Sequence, residues 1–568
     1  MNTVAPLRQG AEQVDVAVAD WHEACAAELA GGGRFCGAFA DRSGSRRRWH
    51  ALFALGANTR ILTTLPAGDE LPSIVELIPA AEWDEREAHD LYGLRFGGHE
   101  PLRPLIAHPL DTPSWTVPVE GEGVHEVAVG PVHAGVIESG HFRFHVVGER
   151  ILHLDPRLFY KHRGLERAAE GRKLAEGLAF AQRACGACAV ANSVAYAQAC
   201  ESVIGLVPSP QMRRARTLLL ELERLYNHLN DIAAVCAGVG FAAGNMAFAA
   251  LKERALRLNE DLSGHRFLFG SVEVGASALD LPSPAAGRAQ GELRELEHDT
   301  ARAWREIQFS PSVQARLEGV GVLGSDDAAR LGAVGPTARA AGVSTDTRTA
   351  SPGLWYSSSF SAAVPPGARG DVAARLETRA LELIEVFSML EELLSGSLPP
   401  EVASLDGAPM VLGVARVESP RGETVCAVAQ DMFRVERLHL RTGSYANWPA
   451  LAFATAENLL PDFPLIKRAS SSATPAWTAE HVRLAPSPPA RPPRSGPAEA
   501  QRLPLARDPP RRRRLLQRLR ARADSDGRSP IRPAALRPRY RRLAPPRRRP
   551  ARHRPGHDPH GRIAASGL

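Results

Sequence analysis

The chain has 568 residues, 44% of them hydrophobic and 23% charged, with seven cysteines. That length exceeds what one core serves, so two or more globular domains are expected, and an odd number of scattered cysteines argues against a disulfide framework. The net charge of +6 is uneven: 24 Arg against 6 acidic residues from position 469 onward leave the preceding body acidic, near −12, so the tail alone makes the protein basic.

Taken in chain order, the first residues, Met1 to Asp20, lack the basic-then-apolar layout of a secretory signal. No later run approaches the roughly 20 apolar residues of a membrane-spanning helix. A cytoplasmic location is therefore expected. Trp49 to Leu55 and Arg60 to Leu65 have strand length, and Glu82 to Tyr92 has helical character with Gly93 as its stop. Residues 101–129 carry Pro, Gly and Thr without a periodic apolar face and predict a boundary. The alternation of His141 to Val146, followed by a Gly148-Glu149 turn and Ile151-Leu152, predicts a hairpin. Helices dominate after that. Leu218, Leu222, Leu225 and Leu229 share one helical face, as do Leu383, Val386, Phe387, Leu390 and Leu394, so two amphipathic helices must pack in a bundle.

The expected fold class is α+β. A small N-terminal α/β domain spans 1–110, a linker 111–129, and a mainly helical domain opening with a β hairpin 130–467. The Arg/Pro-rich tail, 468–568, has too few large apolar residues to offset chain entropy and is expected to be disordered. Out-of-frame translation of GC-rich DNA produces the same bias, and the codons for Ala469 to Thr478 permit a shifted frame with an apolar ending. A frame change near Lys467 is the alternative reading, and re-sequencing that finds none refutes it. No nucleic-acid partner is expected.

The stretch Glu85-Arg86-Glu87-Ala88-His89-Asp90-Leu91-Tyr92-Gly93 with Gly97-Gly98-His99 and Arg103 resembles the 30-kDa subunit of respiratory complex I. In that family the subunit docks and assembles, so the resemblance implies no chemistry here. A second series resembles the large subunit of group 4 [NiFe] hydrogenases, the formate hydrogenlyase type, and the 49-kDa subunit of complex I, which share a fold. It starts with Gly130-Pro131-Val132-His133, Glu138, and His162-Arg163-Gly164-Leu165-Glu166. Matches continue in order through Arg216 to His228, Gly335 to Arg348, Glu418 to Glu423, and Arg441 to Asn447.

The resemblance implies a subunit of a membrane-bound NADH:quinone oxidoreductase or hydrogenase complex, attached peripherally to the inner face of the cell membrane. An iron-sulfur small subunit and further peripheral and membrane subunits are the implied partners, quinone an implied contact. NADH and the [4Fe-4S] clusters are expected on those partners, and no cofactor is certain for this chain. Hydrogenases of this type hold nickel and iron through two Cys-x-x-Cys pairs. Cys185 and Cys188 match the first pair, the second is absent, and Asn192 stands where the pattern carries His. Two thiolates under-coordinate a soft metal, so an intact nickel-iron site is not expected, and zinc or a local disulfide remains open.

Glu138 matches the acid that relays protons in hydrogenases; its structural alternative is a salt bridge to Arg143 or Arg163. The resemblance to the complex I branch implies a place at a quinone headgroup for His133; His162 is a further candidate, the alternative for both being core histidines paired to carbonyls, and Tyr160 and Tyr196 are weaker candidates. Three functions follow: an oxidoreductase subunit without its own nickel-iron centre, a catalytic hydrogenase subunit with a damaged C-terminus, or a non-catalytic scaffold.

Overall fold

The computed structural model describes residues 10–43, 46–66, 68–107, 115–132, 139–160, 162–277, 279–350, 353–407 and 409–470. His133, Glu138 and the tail from 471 onward lie outside these residues. The fold is α+β, and among the described residues no helix is long and apolar enough to cross a membrane.

The N-terminal lobe is a four-stranded sheet. Ala11–Asp15 runs parallel to Asn58–Thr64, which pairs antiparallel with Arg46–Leu55, and that strand in turn pairs with Arg34–Ser43. Both faces are apolar because both are covered. Trp49, Ala51 and Phe53 point to one face, packing with Trp21 and Cys25 of the Trp21–Ala30 helix and with Ala88 and Leu91 of the Glu82–Tyr92 helix. Phe39, Leu52, Ala54 and Ile61 point to the other, against Leu412, Val414, Val425 and Ala427. The Glu82–Tyr92 helix ends as the sequence predicts, with Gly93 in the left-handed conformation and its N–H donating to His89 O.

In the second lobe the predicted hairpin forms between His141–Val147 and Arg150–Arg157. It gains a third strand, Val124–Val129, inside the stretch read as linker. The apolar alternation there is too short to show in the sequence, and pairing with the hairpin makes it a strand. The helices Ala189–Ile204, Pro210–Gly238, Ala242–Ser263, Ser283–Gln308 and Val372–Leu393 pack on one continuous core. Pro210–Gly238 starts on a Ser209 cap, whose hydroxyl accepts from Met212 N at 3.1 Å, with Pro210 in the first turn.

Two features depart from the sequence reading. Pro210–Gly238 is buried on every side rather than along one stripe: Leu218, Leu222, Leu225 and Leu229 are buried, and so are Arg216, Glu221, Glu223, Arg224 and His228. A second antiparallel sheet, Leu412–Ser419, Gly422–Asp431 and Arg434–Arg441, stands where helix was expected to dominate. Its strands carry Arg416, Glu418, Glu423, Arg437 and Arg441 inward, which breaks the period-2 pattern a strand normally shows.

Candidate functional site

Helix Ala189–Ile204 begins directly after the cysteine pair, and its first amides fix the site. Glu223, from the middle of Pro210–Gly238, accepts from Val190 N at 2.7 Å and Ala191 N at 3.0 Å. A carboxylate thus takes donors that a helix start leaves free. Burial pushes the Glu223 carboxyl up to about 8, against the pull of those two amides, with the Cys185 sulfur adding to the rise.

The cysteine loop is held by carbonyls. Arg163 donates to Ala184 O at 3.1 Å and Asn227 donates to Ala187 O at 2.8 Å, while Cys188 N donates back to Cys185 O at 3.3 Å. Cys188 Sγ lies 3.6 Å from Ser419 Oγ. Opposite the sulfurs sits Arg421, 3.7 Å from Asp231, with its Nε unpartnered among the described residues. The Arg421 turn is fastened by Arg224, which donates to Ser419 O at 3.1 Å and Glu418 O at 2.8 Å, and by Asn447 Nδ2, which donates to Arg421 O at 3.2 Å.

Charge and hydrogen bonding split the two thiols. A hydrogen bond from Cys188 outweighs burial and, with Arg421 opposite and the loop amides, brings Cys185 down to about 6; Cys188, as donor, is pushed well above its ordinary value. The two shifts run in opposite directions, toward a thiolate on Cys185 and a retained proton on Cys188. Cys185 is also the one cysteine of the seven that is not buried. Native-state alkylation with iodoacetamide, followed by peptide mass spectrometry, is expected to label Cys185 first, its rate rising with pH through a midpoint near 6. In Cys188→Ala the midpoint is expected to move upward by more than one unit, because burial stays and the hydrogen bond goes; an unmoved midpoint refutes this account.

Asn192, one turn beyond Cys188, is fully buried with neither amide atom partnered among the described residues. Of the other predicted residues, His133 and Glu138 lie outside the described ones. His162 is half-buried ahead of the Leu165–Ala169 helix, beside Arg163. Tyr196 is a core residue, its hydroxyl donating to Leu174 O at 2.7 Å, and Tyr160 lies under Arg157, 6.0 Å from the guanidinium. Arg143 pairs with Glu126. Glu223, Asp231 and Arg421 escaped the sequence reading as individual residues, although each falls inside or beside a stretch that carries the resemblance; for Glu223 and Asp231 the signal was an acid on a helix with a leucine face, and Arg421, on the turn between two strands, had none.

Behind the site lies a buried ion network. Arg339 bonds Glu382 at 2.6 Å, Glu418 at 3.0 Å and Asp346 at 3.1 Å. Arg348 bonds Asp346 at 2.7 Å, Arg224 bonds Glu221 at 3.1 Å, and His228 lies 2.7 Å from Glu382. Guanidiniums keep their protons at any working pH. The network is therefore a fixed scaffold that holds the Glu418–Glu423 turn, and with it Arg421, over the cysteines.

The nickel-iron centre that the fold suggests does not fit this donor set. All seven cysteines are accounted for, and among the described residues no third His, Cys, Asp or Glu joins Cys185 and Cys188 within ligand distance. Such a centre needs more strong ligands than two.

Fold and site together define a fused two-lobe subunit with a Cys-x-x-Cys pair, a half-buried Cys185 and a buried Cys188, facing an arginine. Residues 16–119 match the family described as respiratory-chain NADH dehydrogenase, 30 Kd subunit, and residues 238–412 the family described as its 49 Kd subunit. The chain is 32% identical to hydrogenase-4 component G of Escherichia coli (strain K12), over 70% of this chain and 74% of that protein. It is 31% identical to formate hydrogenlyase subunit 5 of the same organism, over 70% and 75%. With an NADH-quinone oxidoreductase subunit of Phocaeicola vulgatus it shares 27% over 64% and 77%. Among solved structures, a chain of the membrane-bound sulfane sulfur reductase, an archaeal respiratory membrane complex, superposes with a TM-score of 0.57 and 25% identity, over 63% of this chain and all of that one. The chain belongs to the family of fused 30-kDa/49-kDa-type subunits of complex I and the related membrane-bound hydrogenases.

Proposed function

We propose that the chain is a peripheral subunit of a membrane-bound, complex-I-like oxidoreductase, that it couples electron transfer in its neighbours to proton movement, and that it holds no intact nickel-iron centre. The observation that carries this reading is the ligand count: two sulfurs, with an arginine rather than further thiolates opposite. An iron-sulfur small subunit and membrane subunits are the proposed partners, with NADH and the [4Fe-4S] clusters bound there and quinone as a contact. Attachment to the inner face of the membrane runs through them.

Proton handling falls to Glu138, His133 and His162, joined by Glu223, whose carboxyl near 8 can exchange a proton beside the Cys185 sulfur at physiological pH. The Cys185 and Cys188 pair is proposed as a residual metal pair. A second reading, the catalytic large subunit of a hydrogenase, is favoured by the ionised Cys185 under Arg421. Metal analysis of the purified native complex separates the two: no stoichiometric nickel is expected, and one nickel per chain establishes the hydrogenase. Glu138→Gln in the assembled complex is expected to lower proton coupling; unchanged turnover and coupling leave the chain a scaffold.

A further inference from the structure

Where the two lobes meet, three basic side chains project from one face of strand Arg434–Arg441 at every second residue: Arg437, His439 and Arg441. Each faces buried acids. Arg437 bonds Glu166 at 2.6 Å and Arg441 approaches Asp84 at 3.3 Å, so the outer two positions are filled ion pairs. The middle position is not. His439 is 3% exposed, and neither ring nitrogen has a hydrogen-bond partner among the described residues. Its Nδ1 stands 3.6 Å from Glu166 Oε1, beyond hydrogen-bond reach. Glu87, 6% exposed, closes the group from the Glu82–Tyr92 helix, and one ligand atom from each of Glu87, Glu166 and His439 lies within 4.8 Å of the others.

We propose that Glu87, Glu166 and His439 bind a zinc-type divalent cation that staples the N-terminal lobe to the second lobe. Glu87 comes from the first lobe, Glu166 and His439 from the second. One nitrogen and two carboxylate oxygens form a zinc ligand set with a fourth position left for water. In a tetrahedral site with bonds of about 2.0–2.1 Å, ligand atoms stand roughly 3.3 Å apart, close to the gap between His439 and Glu166. Glu166 uses Oε2 for Arg437 and accepts from Leu440 N at 2.8 Å on Oε1, whose second lone pair is the one on the side of the histidine. The ring is fixed by stacking on Phe39, 4.7 Å between centroids.

The experiment uses the full chain with Cys185→Ser and Cys188→Ser, so that thiolates cannot compete, loaded with zinc chloride and dialysed. One zinc per chain is expected, with X-ray absorption showing nitrogen and oxygen neighbours at about 2.0–2.1 Å and no sulfur. Glu87→Gln is expected to weaken zinc binding by more than the roughly 10–100-fold that outer-shell changes cost, with circular dichroism unchanged. His439→Asn serves as the second ligand variant. Absence of stoichiometric zinc in the parent protein, sulfur in the absorption spectrum, or full zinc retention in either folded variant overturns the proposal.

Discussion

Replacing Arg339 with Met is expected to destabilise the protein by about 3–5 kcal/mol, because truncation takes one cation from three buried carboxylates, leaving Asp346 to Arg348, Glu382 to His228, and Glu418 with no close cation among the described residues. Arg339 is fully buried and bridges Glu382, Glu418 and Asp346, which come from a helix, a strand and a loop far apart in sequence. A loss of that size is a large share of a typical folding free energy. Melting is expected to fall by roughly 5–10 °C, with reduced soluble yield. Burial pushes the Glu382 carboxyl up, but Arg339, His228 and Arg348 outweigh it and hold it well below the carboxylate range. A group depressed in this way contributes stability above its unfolded value and loses it as pH falls through the folded one. The variant's deficit should therefore shrink in acid and be largest at neutral pH. Arg339→Lys is expected to fall between, since one ammonium cannot span three carboxylates. A melting point within 2 °C of the parent's, read as roughly 1 kcal/mol or less, would show that the network contributes little.

The second large effect is expected at the glycines that clasp Arg421. A Cβ on Gly335 would lie 2.5 Å from Gly422 Cα and 2.7 Å from Arg421 O, and one on Gly422 would lie 2.7 Å from Gly335 N. Both glycines have positive φ, +65 and +117. Two backbones cross here with no room for a side chain. Gly335→Ala combines left-handed strain of about 1–2 kcal/mol with overpacking of about 1–3 kcal/mol, so a loss of about 3 kcal/mol is expected. Because the clash moves Arg421 off the sulfurs, the alkylation midpoint of Cys185 should also rise. Gly324→Ala is the control: its Cβ meets nothing within 4 Å and its φ is −69, so stability should change by less than about 0.5 kcal/mol. An unchanged Cys185 midpoint in a folded Gly335→Ala would separate the arginine from the thiolate.

Local signals survived folding wherever the chain satisfied them by itself. The Glu82–Tyr92 helix with its Gly93 stop and the His141–Arg157 hairpin around Gly148 are each specified by neighbours in sequence. The sheet over 412–441 was hidden for the opposite reason. Arg416 is held inside it by Glu423 at 3.1 Å and by the carbonyls of Gly56 and Asn58, which accept from it and which no local window contains. The same holds for strand Val124–Val129, which reads as linker until the hairpin pairs with it.

The cysteine pair, its missing counterpart and the family resemblance were all readable from residue identity and order, because spacing alone sets how many sulfurs the chain can bring to a metal. The hydrogen bond from Cys188 that lowers the Cys185 thiol most is local; what only the tertiary structure added is Arg421, carried across more than two hundred residues and held there by Arg224 on the carbonyls of its turn. Likewise, Glu87 and His439 sit in unrelated segments and become neighbours only when the lobes close. A sequence fixes which charges exist; a folded interior, by excluding water, fixes what each of them is worth.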